Sequence, residues 1–182
     1  MTKQWDIIDA LRHTRHDWLN VIQLIKGNLA LGRYDRIEQI IDEVTAQSLN
    51  ESKLSMISAP TVATFLLTYN WQCTEMKIDV DVIGDIKPLS AHEDMLLYRT
   101  CQTLINQMAE SSSSSSENHL LVTFLFTNNE YNNECQITFD YQGTLQMKKE
   151  EWQPIVKKLV PEVNVIEWNE HECVLQTTFT IN

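Results

Sequence analysis

A heptad pattern of apolar side chains runs along the first part of the 182-residue chain. No proline occurs from Trp5 to Leu31, and with Ile8 as position a, only Arg15 interrupts the apolar a and d positions. Those positions hold Ile8, Leu11, Trp18, Ile22, Ile25 and Leu29. The pattern predicts one helix of about 40 Å at the usual rise per residue.

A second helix is predicted after a short turn. Gly32 ends the first helix, Asp35 is suited to N-cap the second, and the second helix fades at Leu54 to Ser58. Its apolar face holds Ile37, Ile40, Ile41 and Val44. Two helices leave an apolar seam that another pair would cover, so we expect a four-helix bundle in a homodimer. In the alternative, the hairpin folds back on the C-terminal domain of its own chain.

Pro60 marks the predicted boundary between a helical hairpin over residues 1–58 and an α+β domain over residues 59–182. Predicted helices cover Thr61 to Glu75, Ser90 to Glu110 (opened by a capping box) and Glu150 to Val160, and predicted strands cover Lys77 to Ile83, Leu120 to Phe126, Cys135 to Tyr141, Val163 to Trp168 and Cys173 to Ile181. The order α-β-α-β-β-α-β-β indicates helices packed on a sheet. The serine run Ser111 to Ser116 predicts a flexible loop without chemistry.

Composition excludes several classes of function. With 14 Lys and Arg against 25 Asp and Glu, the net charge of −11 disfavours binding to nucleic acid or to an anionic membrane. The four glycines are isolated, so no glycine-rich phosphate loop can be written, and no apolar run has the length that a bilayer requires. The widely spaced Cys73, Cys101, Cys135 and Cys173 indicate buried reduced thiols in a cytoplasmic protein.

A polar stripe lies beside the apolar seam of the first helix. Helical steps from His16 place on this stripe Asp9, Arg12 or His13, Asn20, Gln23 and Gly27. A solvent-facing imidazole is a competent phosphoryl acceptor because its neutral form is populated near neutral pH. Residues 1–36 carry a local charge of +2 and the remainder −13, which suits an acidic or phosphorylated partner.

Two plainer interpretations of the stripe stay open at this point. A histidine on a polar helix face is most often a solvated surface residue. His13 and His16 could also ligate a metal, although only Asp9 or Asp17 is near enough to be a third ligand.

The segment Leu11 to Leu29 resembles the sporulation initiation phosphotransferase B family of the Bacillus phosphorelay. The resemblance spans essentially the whole chain and extends to Tyr34-Asp35-Arg36, Glu51 to Ser55, Glu117 to His119 and His171 to Cys173. Its most specific part, Arg-His-Asp-Trp-x-Asn-x-x-Gln-x-x-Lys-Gly, is also similar to the phosphoacceptor helix of citrate-type sensor histidine kinases. The resemblance implies that His16 takes a phosphoryl group from the aspartyl phosphate of a single-domain receiver and passes it to the receiver of the sporulation transcription factor.

The resemblance also implies roles for the neighbours of His16. Transfer through a loose transition state needs geometry and charge neutralisation, so Arg15 and Asn20 are expected to be catalytic residues that orient or support the charge. Partner docking is assigned to Arg12, Asp17, Gln23, Lys26 and Gly27. Asp17 could also hold the imidazole tautomer, and Nε2 is the expected nucleophile because it projects farther from the backbone. The receivers would supply Mg²⁺, so this chain needs no metal or other cofactor of its own.

The second domain resembles a decayed histidine-kinase ATPase domain. Asn106 stands where a kinase has its asparagine box, and Asp140 and Gly143 stand where it has a glycine box, but the paired asparagine and the required glycine positions are missing. We therefore expect no ATP binding. The second hypothesis for function is a non-catalytic dimeric protein that sequesters a receiver or kinase, and the third is an ATP-dependent histidine kinase.

Overall fold

The structure is a computed structural model that describes residues 7–128 and 133–181. The predicted helix start at Trp5 and the middle of the predicted connection from Asn128 to Asn133 lie outside those residues. The chain forms two compact units, residues 1–49 and residues 50–182. The predicted domain boundary at residue 58 stays a prediction.

The first unit is a helical hairpin. Helix α1 (Ile7–Ala30) is followed by helix α2 (Tyr34–Met56), whose last turns belong to the second unit. Gly32 has a φ of 66° and ends α1 in a Schellman motif: Gly32 N–H donates to the Leu29 carbonyl at 3.1 Å and Arg33 N–H to the Asn28 carbonyl at 3.0 Å. The predicted turn at Gly32 is therefore confirmed.

The N-cap prediction for Asp35 is wrong by two residues. Helix α2 begins at Tyr34, and the Arg33 carbonyl already accepts from Ile37 N–H at 3.3 Å. Asp35 instead lies in the first helical turn, where its carboxylate still faces the positive end of the helix dipole.

The predicted apolar seam of α1 is exposed in the single chain. No described residue of α1 is buried, and Ile8 and Trp18 are 63% and 48% exposed. On α2, Ile40 is buried while Ile41 is exposed. The hairpin therefore leaves much of its apolar surface in contact with solvent.

The second unit is an α+β domain with one five-stranded sheet, which confirms the predicted fold class and order of elements. Its elements are α3 (Pro60–Tyr69), β1 (Lys77–Gly84), α4 (Ala91–Ser111), β2 (His119–Asn128), β3 (Asn133–Gln142), α5 (Lys149–Val156), β4 (Val163–Trp168) and β5 (Glu172–Ile181). The strand order is β1-β2-β3-β5-β4. Among the strands that the structure describes, only β1 and β2 are parallel, and α4 makes the crossover between them.

One face of this sheet forms the core with the helices. Along β3, Cys135, Ile137, Phe139 and Tyr141 are buried, and the residues between them are more exposed. Successive side chains of a strand point to opposite faces of the sheet, so every second residue faces the core. Helices α3, α4 and α5 bring Leu66, Leu104 and Trp152 to the same core. The predicted capping box of α4 is confirmed, because Ser90 N–H donates to the Glu93 carboxylate at 2.6 Å and Glu93 N–H to Ser90 Oγ at 3.3 Å.

Two helices are shorter than the sequence predicts. Helix α3 ends at Tyr69 rather than Glu75, because the Asn70 side chain pairs with the backbone of Ile78 at 2.7 and 2.8 Å and holds the chain at the edge of the sheet. Helix α5 ends at Val156 rather than Val160, in keeping with Pro154 inside it, which lacks a backbone N–H to donate.

The serine run forms a loop from Ser112 to Ser116, as predicted, and hydrogen bonds hold its backbone. Ser111 belongs to α4, Ser113 is buried, and the Asn118 amide donates to the carbonyls of Ser113 and Ser116 at 2.9 and 3.1 Å. Asn118 Oδ1 also accepts from the Tyr141 hydroxyl at 2.8 Å. These hydrogen bonds fix the serine backbone against the end of the sheet.

The cysteines match their prediction in three positions out of four. Cys101, Cys135 and Cys173 are buried and Cys73 is half-buried, and all four are free thiols. Burial raises the pKa of Cys135 to about 12, so this thiol is unreactive near neutral pH. In the part of the chain that the structure describes, no helix has both the length and the apolar character needed to cross a membrane.

Candidate functional site

His16 lies on the exposed polar stripe of α1, and its side chain is 72% exposed. Its Nδ1 is 3.2 Å from Asn20 Nδ2, one helical turn further on. Asp17 Oδ1 is 3.6 Å from the same nitrogen, beyond ordinary hydrogen-bond distance. Among the residues described, Nε2 has no hydrogen-bond partner. The ring is thus held by one nitrogen and open to solvent at the other.

The structure brings Asn20 next to His16 but places Arg15 elsewhere. Arg15 is exposed and directly precedes His16, so it projects about 100° away around the helix axis. Arg12 is on the polar stripe, where its guanidinium contacts the Asp9 carboxylate at 2.7 Å. Lys26 is exposed on the same helix.

A groove of about 520 Å³ follows the C-terminal half of α1 on the same side as His16. Its lining residues are Asn20, Gln23, Leu24, Gly27, Asn28, Leu31 and Arg33. A Cβ at Gly27 would have no atom within 4 Å, so glycine leaves the floor of the groove free for an approaching backbone. Three predicted site residues, Asn20, Gln23 and Gly27, therefore share one concave surface.

The sequence analysis missed the apolar part of this groove. Leu24 and Leu31 are 56% and 64% exposed and lie outside the a and d positions. Their spacing of seven residues was the available signal, because it places both side chains on one helical face near Gly27. The groove thus combines two amides with two exposed leucines.

Metal ligation by His13 and His16 gains no support from the geometry. His13 is half-buried, whereas His16 is exposed. Within residues 7–128 and 133–181, no three His, Cys, Asp or Glu side chains converge on a point where a metal ion could bind. The absence of a cofactor stays a prediction.

The kinase-like positions of the second unit do not form a phosphate-binding loop. Asn106 is exposed on α4. Asp140 alternates with the buried Phe139 and Tyr141 and so lies on the sheet face away from the core. A Cβ at Gly143 would collide with Asn118 Oδ1 and the Tyr141 hydroxyl, so the space around this glycine is already filled by the chain.

A second histidine, His119, takes part in an ion-pair cluster remote from His16 in the sequence. His119 Nε2 is 2.8 Å from Asp79 Oδ2, and Lys77 Nζ is 3.2 Å from the same oxygen. Burial raises the pKa of Asp79, but the hydrogen bonds and charges of His119 and Lys77 outweigh this effect and leave its pKa below the usual value. This cluster ties β1 to β2, and it engages Nε2 of His119, the ring nitrogen that is open in His16.

Family comparisons cover almost the entire chain. Residues 1–57 match the alpha-helical domain of the Sensor_kinase_SpoOB type, and residues 58–180 match the C-terminal domain of sporulation initiation phosphotransferase B. Sporulation initiation phosphotransferase B from Bacillus subtilis (strain 168) is 42% identical over 118 residues, which are 65% of this chain and 61% of that protein. The chain thus matches about three fifths of the length of this curated relative.

The solved structures that this chain is similar to are distant in sequence. The catalytic domain of histidine kinase ThkA is 9% identical, with a TM-score of 0.47 over 71% of this chain and 93% of that chain. The Acinetobacter baumannii histidine kinase AdeS is 10% identical, with a TM-score of 0.42 over 92% and 98%. A bacterial phosphotransferase is 11% identical, with a TM-score of 0.38 over 96% and 98%.

Proposed function

The chain belongs to the sporulation initiation phosphotransferase B family, and on that premise we propose that it is a phosphotransferase of a sporulation phosphorelay. His16 accepts a phosphoryl group from the aspartyl phosphate of one response-regulator receiver and passes it to the aspartate of a second receiver that controls sporulation. One observation carries this proposal: the exposed imidazole is held at Nδ1 and open at Nε2, which is the geometry of an accessible nucleophile.

The transfer step needs no general base. The Nε2 lone pair attacks phosphorus, the bond between phosphorus and the aspartyl oxygen breaks, and the carboxylate leaves with that electron pair. The phosphorylated ring keeps its proton on Nδ1 and carries a positive charge until the second aspartate takes the phosphoryl group. The chain holds the imidazole in position and supplies local positive charge. A loose phosphoryl-transfer transition state requires both.

The groove next to His16 supports docking of the receivers. Gln23 and Gly27 line it, and the exposed leucines give it apolar area. Exposed Arg12, Lys26 and Arg33 would favour an acidic partner surface. The receiver's acidic pocket would bring the Mg²⁺ ion, so the reaction needs no cofactor from this chain. We place this relay in the cytoplasm.

A homodimer would complete the first unit. A second copy of the hairpin would cover the exposed seam of α1 and form a four-helix bundle, with two His16 side chains on its outer surface. The seam's exposed isoleucine, leucine and tryptophan side chains support this assembly, because single chains rarely leave so continuous an apolar stripe in water.

We also propose that the second unit binds no nucleotide. The filled space at Gly143 supports this. Calorimetric titration of the full chain with millimolar Mg-ATP should give no saturable heat and no label on His16. A one-site isotherm would contradict the proposal.

The direct test is transfer from a ³²P-labelled phosphorylated receiver to the full chain. We expect acid-labile, alkali-stable label on the wild type and none on His16→Gln. His13→Gln, one turn away on the same helix, is the matched control and should take up label. Receiver binding without any label on the wild type would instead favour the sequestering hypothesis, and label on His16→Gln at the wild-type level would move the acceptor to another residue.

A further inference from the structure

Arg12 is the basic residue that α1 places closest to His16 on the same face. The two residues are four apart, so their side chains project within about 40° of each other and their Cα atoms differ by about 6 Å along the helix axis. Arg15 projects about 100° away from His16, and Lys26 lies about 15 Å further along the axis. The other basic residues in the described part of the first unit lie at the turn and in α2, and they are Arg33 and Arg36.

An ion pair with Asp9 holds one arm of the Arg12 guanidinium. Arg12 Nη1 is 2.7 Å from Asp9 Oδ1, and the Asp9 side chain is 26% exposed, against 70% for Arg12. A guanidinium has five N–H donors, and this contact uses one arm. Within the described residues, Nε and Nη2 of Arg12 have no hydrogen-bond partner. The guanidinium is therefore anchored and still able to donate hydrogen bonds.

The order of these residues along α1 places the cation on the side of His16. Asp9 precedes Arg12 by three residues and His16 follows it by four, so Arg12 lies between the carboxylate and the histidine. Asn20 contacts His16 from the C-terminal side. Side chains of an α-helix lean toward its N-terminus, so a phosphoryl group on His16 would lie over the turn that contains Arg12.

We propose that Arg12 is a catalytic residue whose guanidinium donates hydrogen bonds to the phosphoryl oxygens during transfer to and from His16; this inference rests on the proposed function. In a loose transition state the negative charge is spread over three equatorial oxygens, and the planar guanidinium can contact two of them at once. Arginine stays protonated throughout, so the bonds that form and break are only those of the transfer step. The charge support that the sequence predicted for Arg15 is thus assigned to Arg12.

The contact can be tested without a receiver, because the small donor phosphoramidate phosphorylates exposed imidazoles directly. ³¹P NMR of the treated full chain gives the pKa of the phosphoryl group on His16, whose signal is identified by its absence from His16→Gln. A neighbouring cation favours the doubly charged phosphoryl group and lowers its pKa. In Arg12→Gln we expect this pKa to be higher by about half a unit, as for a solvent-exposed charge pair, and in Arg12→Lys to stay close to the wild type.

Transfer from the ³²P-labelled phosphorylated receiver separates catalysis from docking. At saturating receiver, Arg12→Gln should be slower by about tenfold, which corresponds to one lost charge-assisted hydrogen bond in a site from which the docked receiver excludes water. Arg12→Lys should recover part of the rate. The matched control is Arg36→Gln, at an exposed arginine that pairs with Glu43 at 3.4 Å, and it should match the wild type in both measurements.

A wild-type rate of Arg12→Gln at saturating receiver, with weaker receiver binding, would limit Arg12 to docking and overturn the proposal. An unchanged phosphoryl pKa in Arg12→Gln, or a rise of that pKa in Arg15→Gln instead, would also overturn it. If the pKa shifts as expected and the receiver transfers no label to the wild type, the phosphotransferase proposal fails while the contact between Arg12 and the phosphoryl group stands.

Discussion

The two units of the chain bury their apolar side chains to different extents. Helix α1 buries none of its described residues, although its seam includes Leu11, Trp18 and Ile22. In the second unit, Trp152, Phe124 and Phe139 are fully buried. Burial of apolar area is the main favourable contribution to folding, so the second unit contains its own source of stability. The hairpin needs a further surface, and a second copy of itself would supply it.

Ionisable side chains differ in the same way. In the second unit, Asp94 is 4% exposed and accepts from Thr61 N–H and Val62 N–H at 3.0 Å each, so this carboxylate caps helix α3. In the first unit, His16 is exposed and has a free ring nitrogen. The comparison indicates that the second unit uses buried polar groups for structure, and that the first unit leaves its polar groups exposed to solvent.

The largest expected effect comes from a charge in the seam. Ile22→Asp would bury an unpaired carboxylate twice in each dimer, at a cost of about 3–5 kcal/mol for each. Sedimentation equilibrium should show a dimeric wild type and a monomeric variant at micromolar concentration. Ile166→Asp, at a similarly exposed isoleucine on β4, should leave the dimer intact. A monomeric wild type would contradict the interpretation of the hairpin as an incomplete unit.

A smaller effect is expected from the buried cap of α3. Asp94→Ala removes both hydrogen bonds to the helix N-terminus and should lower the free energy of unfolding by about 1–3 kcal/mol. Urea denaturation followed by tryptophan fluorescence measures it. Glu110→Ala, at an exposed position of the same helix α4, should stay within about 0.5 kcal/mol of the wild type. Equal midpoints for Asp94→Ala and the wild type would show that this carboxylate is not structural.

The smallest expected effect concerns Asp79 and depends on pH. The folded-state pKa of Asp79 lies below its usual value, so the ionised carboxylate stabilises the folded chain. Its contribution to the free energy of unfolding is fully present above the ordinary carboxyl pKa of about 3.9, and it is lost as the pH falls through the lower folded-state pKa. Asp79→Asn should therefore be less stable than the wild type at neutral pH, by at most about 1 kcal/mol because the cluster is partly exposed to solvent.

In acid the two stability curves should converge. Urea denaturation at a series of pH values measures both curves. Lys77→Gln removes one partner of Asp79 and should reproduce part of the stability that Asp79→Asn loses at neutral pH. A difference that stays constant down to the lowest pH would contradict the ion-pair account.

Regular periodicity explains what could be predicted from the sequence. The heptads of α1, the capping box of α4 and the alternation along β2 and β3 each repeat a local rule over many residues. Such rules give the order of elements and the fold class. They also placed Asn20, Gln23 and Gly27 on the face of His16, where the structure has them.

The predictions that needed correction depend on specific side-chain contacts that periodicity and composition do not describe. The serine run is ordered by Asn118 and Tyr141, and α3 is cut short by the pairing of Asn70 with Ile78. Composition within a short window contains no information about such partners. Asp35 is different, because the Schellman motif completes the turn at Arg33, so that Arg33 directly precedes α2. The amide contact at His16 could not be predicted either, since helical spacing gives proximity and not orientation.

The central claim is that Nε2 of His16 carries the phosphoryl group. The most direct measurement is ³¹P NMR of the chain after incubation with a phosphorylated receiver, in alkaline solution where phosphohistidine persists, combined with ¹⁵N labelling of the imidazole. The account predicts one phosphoramidate signal for each chain, coupled to Nε2 of His16 and absent from His16→Gln. A signal coupled to Nδ1, a signal from His13, or an acyl phosphate on a carboxylate would contradict it.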